Sequence, residues 1–139
     1  MPGHRRRKKT ADNDEGVSLT AQWLRSNMSG FCFTNLNDFD SKYGHRRNPE
    51  GYAKALLALD ARLPELLNEL KAGDRLIISA DHGCDPTAPG TDHTREFAPL
   101  IDYRPDVAGT ILGTLDSFSQ VGNRVLATFG VAPAGELIV

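Results

Sequence analysis

The sequence predicts an α/β domain, a parallel-type sheet with flanking helices. Three observations carry that expectation. Short apolar runs at 31–36, 75–79 and 98–103 have the length and composition of strands. A long segment from Asn48 repeats apolar residues at three- and four-residue steps, the spacing of a half-buried helix. Polar loops rich in Asp and His follow the first two runs, and in parallel sheets sites form outside the carboxyl ends of the strands.

Residues 1–15 form a polar, basic amino-terminal segment without period, and residues 16–139 read as one core domain. The run Arg5-Arg-Arg-Lys-Lys9 has the composition of a nucleic-acid or targeting patch, but a solvated tail is the commoner outcome. Residues 18–27 suit a short helix capped by Ser18, with Leu19, Trp23 and Leu24 near one face. Gly30 launches the first strand, which runs into a polar loop holding Asp38, Asp40 and His45.

Asn48, Pro49 and Glu50 supply a cap, a proline at the first helical position and an acid in the first turn. Tyr52, Leu56, Leu59, Leu63, Leu67 and Leu70 mark the buried face of this helix, and Gly73 stops it. Pro64 removes a bond to the carbonyl of Asp60 and is expected to kink or split it. The second and third strands follow, separated by a loop stiffened by Pro86 and Pro89. A last helix starts around Asp116 or Ser117, turns Phe118, Val121, Val125 and Phe129 to the sheet, and ends at Gly130.

A chain of 139 residues, 40% apolar and 24% charged, has ordinary globular composition. Its net charge of −2 argues against general nucleic-acid binding. No apolar run approaches the roughly 20 residues that cross a bilayer. The basic start lacks the apolar core of a signal peptide. Cys32 and Cys84 imply no disulfide framework, so a reducing cytoplasm is the expected compartment.

The chemistry concentrates between residues 76 and 96. Leu76-Ile-Ile78 feeds into Asp81-His82, and His93 follows, flanked by Asp92 and by Arg95-Glu96. Three of the four histidines lie in the two candidate loops, each with a carboxylate within five residues. Oxygen and nitrogen donors of this kind suit divalent metals such as Zn²⁺ and Mn²⁺. If the loops meet, they offer donors enough for two ions a few ångströms apart, an arrangement suited to phosphoryl transfer. Asp38, Asp85 and Asp92 fit turn-forming or ligand-supporting roles, and Cys84, among hard donors, reads as packing. The chain has no Gly-rich phosphate loop, no HExxH motif and no serine-nucleophile elbow.

At these residues the sequence resembles a known family. Residues 34–40 with Tyr43-Gly-His-Arg-Arg47, Ala80-Asp-His-Gly-Cys-Asp-Pro-Thr87 and Gly90-Thr-Asp-His-Thr-Arg-Glu96 are similar to blocks of the phosphopentomutases, in the alkaline-phosphatase-like metalloenzyme superfamily. The likeness extends more loosely from about residue 13 to about residue 130. It implies a partial alkaline-phosphatase-like core, matching the last third of longer family members. It further implies an isomerase, an intramolecular phosphotransferase, interconverting (deoxy)ribose 1-phosphate and (deoxy)ribose 5-phosphate with two Mn²⁺ ions.

By the same resemblance Asp81 and His82 hold one ion, and Asp40, His45 and His93 hold the other, with Asp92 and Arg95 in support. The family's nucleophilic threonine belongs to an amino-terminal part that this chain does not match, so no catalytic nucleophile is expected here. That part is an expected partner, alongside the pentose phosphate substrate; neither nucleic acid nor membrane is expected as one. Another metal-dependent phosphatase or mutase of the superfamily, and a metal-binding remnant without turnover, stand as alternatives.

Overall fold

The computed structural model describes residues 6–132, so residues 1–5 of the expected basic segment lie outside the described residues. The chain forms two compact units. One takes residues up to Glu69 together with Cys84–His93, and the other takes Leu70–Gly83 and the chain from Thr94 onward.

In the first unit, helix α1 spans Asn13–Arg25. It starts five residues before the expected Ser18. Asp12 accepts a hydrogen bond from the Glu15 N–H, and the Glu15 carboxylate accepts one from the Ala11 N–H at 2.8 Å. This reciprocal cap satisfies amides that the helix itself leaves open. Helix α2 spans Pro49–Leu67, with the Asn48 side chain accepting from the Gly51 N–H at 2.9 Å. Pro64 lies inside α2 without splitting it. It leaves the Asp60 carbonyl without its intrahelical donor, but only three residues of α2 follow it.

The two helices bury Val17, Ala21 and Leu66, with Leu24, Leu36 and Leu59 packed around them. Leu66 was not expected in the core, whereas Leu56 is about half exposed. The seam follows Leu59 and Leu66, seven residues apart, and charged side chains close its rim. Arg25 donates to Glu65 and Glu69, and Arg62 donates to Glu65, Ser18 and Asp14.

Residues 31–36 form no strand and pair with none among the described residues, contrary to expectation. Phe31 and Phe33 are largely exposed. The segment is held instead by side chains: the Thr34 hydroxyl is 2.6 Å from that of Thr20, and Leu36 joins the helical core.

The second unit holds strands β1, Leu76–Ser79, and β2, Leu100–Tyr103, with helix α3, Ser119–Thr128. The strands are antiparallel, with Ile77 opposite Asp102 and Ile78 opposite Ile101. The parallel sheet expected from the sequence does not occur among the described residues. Parallel pairing needs a crossover, usually a helix, and the chain between β1 and β2 contains none. It doubles back, and Gly83 and Thr94 make a further antiparallel bridge.

Helix α3 also departs from expectation. Gln120, Asn123 and Arg124 are its buried residues, while Phe118 and Phe129 are more than half exposed. The polar face turns inward because Asp102 of β2 attracts it. Arg75 grips both Asp102 oxygens, through Nε at 2.7 Å and Nη2 at 2.5 Å, and the Arg124 Nε lies 3.3 Å from Asp102 Oδ2. Arg75 also donates to the Arg124 carbonyl at 2.8 Å. A buried charge needs partners of this kind. Among the described residues no helix is long and apolar enough to cross a membrane.

Candidate metal centre

Asp40 and His45 lie on and just after a π-helical turn, Phe39–Gly44. The wider turn is closed by the His45 N–H, which donates to the Asp40 carbonyl at 3.0 Å. Such turns are rare and appear often at functional sites. Phe39 packs on Tyr52 of α2 at a ring distance of 5.8 Å, which seats the turn on the helix. Gly44 is buried here, and a Cβ on it would meet the Cys84 sulfur at 2.8 Å and the Phe39 carbonyl oxygen at 3.1 Å. The close approach of Cys84 therefore requires glycine at this position. Neither Cys84 nor Cys32 forms a disulfide.

His93 comes to the same point from the end of the 84–93 loop. One donor atom from each of Asp40, His45 and His93 lies within 4.8 Å of the others. His45 Nε2 is 3.3 Å and His93 Nε2 is 3.5 Å from Asp40 Oδ1. Two ligands of one tetrahedral ion, each about 2.1 Å from it, stand about 3.4 Å apart. The two distances to Asp40 match that spacing. The imidazole rings lie 4.9 Å apart, tilted by 37°.

The 84–93 loop has no ladder to satisfy its backbone. Arg47 supplies donors instead, to the carbonyls of Asp85 at 2.7 Å, Asp92 at 2.6 Å and Gly90. Arg47 has a φ of +50°, in the left-handed region that non-glycine residues seldom occupy. Asp85 makes a tight turn, its carboxylate accepting from the Thr87 N–H at 2.8 Å and hydroxyl at 2.6 Å. The Thr87 hydroxyl, first among the causes, holds the Asp85 carboxyl below the usual carboxylate range. Asp38 is likewise committed. It accepts from the Asn13 N–H at 3.1 Å and pairs with Lys42 at 3.0 Å. Arg95, expected to support the loop, is exposed, and Asp92 contributes its carbonyl. The role of Arg47 had one sequence signal, its place two residues after a candidate ligand.

Asp81 and His82 fall in the second unit, just past β1. His82 Nε2 is 3.6 Å from Asp81 Oδ1, and its Nδ1 is 2.9 Å from the Gly83 carbonyl. The Asp81 side chain is almost fully exposed and that of His82 is three-quarters covered. By themselves these two donors are fewer than the three or more protein ligands of a settled metal site.

The family model of the metalloenzyme superfamily matches residues 4–133. The chain belongs to the metalloenzyme superfamily. Among curated proteins it is 52% identical over 126 residues to a phosphopentomutase of Kosmotoga olearia, covering 90% of this chain and 32% of that protein. It is 50% identical to a phosphopentomutase of Caldanaerobacter subterraneus subsp. tengcongensis, covering 89% and 32% of the two chains. It is 46% identical to a phosphopentomutase of Thermotoga maritima, covering 90% and 33%. The chain thus spans about a third of the length of these curated relatives.

Proposed function

We propose that this chain is the metal-binding part of a phosphopentomutase-type enzyme, which moves a phosphoryl group between the 1 and 5 positions of ribose or deoxyribose. The single observation that carries the reading is the convergence of Asp40, His45 and His93 within 4.8 Å, in a chain about half identical to proteins of that name. One hard carboxylate and two imidazoles suit Mn²⁺, the metal we assign. Asp81 and His82 are assigned to a second ion, to which other ligands must contribute. When bound, such ions supply positive charge that offsets the phosphoryl oxygens' charge during transfer.

The chain's own residues do the holding. Asp40 brings the negative charge, and the imidazoles bring neutral nitrogen donors. The 84–93 loop brings His93 to the π-helical turn. Asp92 and Arg95 are assigned a part in shaping the approach to the ligands. Thr34, Thr87, Thr91 and Thr94 stand near the assigned ligands in sequence, but none has a nucleophile's context. The carrier of phosphate is therefore assigned to the amino-terminal part of the relatives that this chain does not match. The same part would complete the parallel-type sheet of an alkaline-phosphatase-like core. We assign the enzyme to the cytoplasm and to pentose phosphate metabolism on its likeness to the phosphopentomutases.

One assay tests the reading. The purified chain, given Mn²⁺ and ribose 1-phosphate, is expected to form no ribose 5-phosphate. Adding the amino-terminal two thirds of a relative as a separate polypeptide is expected to restore turnover, and His93→Ala to abolish it. Calorimetry with Mn²⁺ showing equal heats for wild type and His93→Ala would refute the metal assignment. Phosphate release without isomerisation would point to another phosphatase or mutase of the superfamily.

A further inference from the structure

Arg47 is two residues past His45, and its three acceptors lie on the loop that ends at His93. The loop is irregular and carries Pro86 and Pro89, which have no N–H to donate. Its carbonyls need donors from elsewhere. The planar guanidinium fork reaches three of them at once, at residues 85, 90 and 92, fixing both ends of the loop to the backbone beside His45. The backbone of Arg47 is held at a positive φ while it does so. A strained conformation of this kind persists only where surrounding contacts over-determine it.

We propose that Arg47 is the positioning residue of the Asp40–His45–His93 cluster, setting the distance between the two imidazoles without itself touching a ligand atom. The proposal rests on reading that cluster as a metal site. It assigns the arginine's effect to geometry rather than charge. Lysine keeps the charge but concentrates its donors on one nitrogen, which cannot span three carbonyls set along the loop. Glycine relaxes the positive φ and removes the fork altogether.

The test uses the full chain, stripped of metal, as wild type, Arg47→Lys and Arg47→Gly. Ring protons of His45 and His93 are expected to show a nuclear Overhauser cross-peak in the wild type, since the rings are 4.9 Å apart. Both variants are expected to lose that cross-peak while keeping wild-type helical circular dichroism. Their affinity for Mn²⁺ is expected to fall about 10–100-fold, the usual cost of removing a group that orients ligands. A cross-peak absent from the wild type, or kept in both variants, overturns the proposal. So does rescue of affinity by lysine, or loss of helix in both variants, which would make the residue merely structural. If the wild type binds no Mn²⁺ yet the cross-peak disappears in the variants, the positioning role stands and the metal reading falls.

Discussion

The Nδ1 atom of His45 lies 2.5 Å from the backbone carbonyl oxygen of Thr91. A carbonyl can only accept, so in the neutral ring Nδ1 carries the proton and Nε2 keeps the lone pair. Nε2 is the atom that faces Asp40, at 3.3 Å. His82 repeats the pattern, with Nδ1 against the Gly83 carbonyl and Nε2 toward Asp81. A histidine whose other nitrogen is fixed by a carbonyl is the usual form of a metal ligand. Nitrogen-15 spectra of the neutral side chains are expected to show protonated Nδ1 and unprotonated Nε2 at both residues. Addition of Zn²⁺, a diamagnetic probe, is expected to move the Nε2 resonance of His45.

Asp40 supplies the only carboxylate in the three-residue cluster. Asp40→Asn keeps the shape and removes the charge, and is expected to weaken Mn²⁺ binding at least as much as loss of a ligand-orienting group, about 10–100-fold. Asp85→Asn is the control. Its Oδ1 accepts from Thr87, and an amide oxygen can accept in the same way. Calorimetric titration of the two variants should separate them clearly, and similar losses would show that Asp40 is not a ligand.

Asp102 is held below the usual carboxylate range, chiefly by its hydrogen bonds to Arg75, with the charges of Arg75, Arg124 and Arg104 acting in the same direction. Because the native value is the lower one, its contribution is fully present above the ordinary value of about 3.9 and is lost as pH falls below it. Urea unfolding of the second unit should therefore weaken in that acid window. Asp102→Asn should remove this dependence and cost about 3 kcal/mol at neutral pH, because it breaks a largely buried ion pair from one side.

Gly83 allows the chain after β1 and the returning chain at Glu96 to approach more closely than a side chain permits. A Cβ there would stand 2.3 Å from the carbonyl oxygen of Glu96 and 2.6 Å from its nitrogen. Both are backbone atoms and cannot swing aside. Gly83→Ala is expected to destabilise the second unit by about 1–3 kcal/mol. Amide exchange at Thr94, its bridge partner, should accelerate.

The elements legible in the sequence were those with strong local signals. Asn48-Pro-Glu50 marked the start of α2, and Leu76-Ile-Ile78 marked β1. The start of α1 was misplaced because Asp12 and Glu15 cap as a pair while Ser18 is the more conspicuous capping residue. Strand direction was not legible, since the signal for pairing lies in how the chain returns. The inward face of α3 was misread for a different reason. Periodicity assigns apolar residues to the core, but Asp102 and Arg75 make a polar interior there, and Arg124 fills it. In the candidate site, residue types marked the loops that carry Asp40, His45 and His93, because donors are recognisable by chemistry, and the family resemblance grouped these three as one set. The carbonyls that Arg47 reaches belong to the backbone and leave no mark in the residue code.

The division of the chain has a consequence for its synthesis. The first unit needs nothing beyond His93, whereas β1 must wait for β2 and then for Arg75 and Asp102 to meet Arg124. At about 5–20 residues per second, the ribosome takes about 1–5 seconds to pass from the end of β1 to the end of β2. For that interval Leu76, Ile77 and Ile78 are a finished strand without a partner, the state in which apolar strands most readily join a neighbouring nascent chain. Crowded polysomes would be the setting in which this protein is hardest to make, and slowing initiation, which spaces the ribosomes, should raise its yield of folded chain.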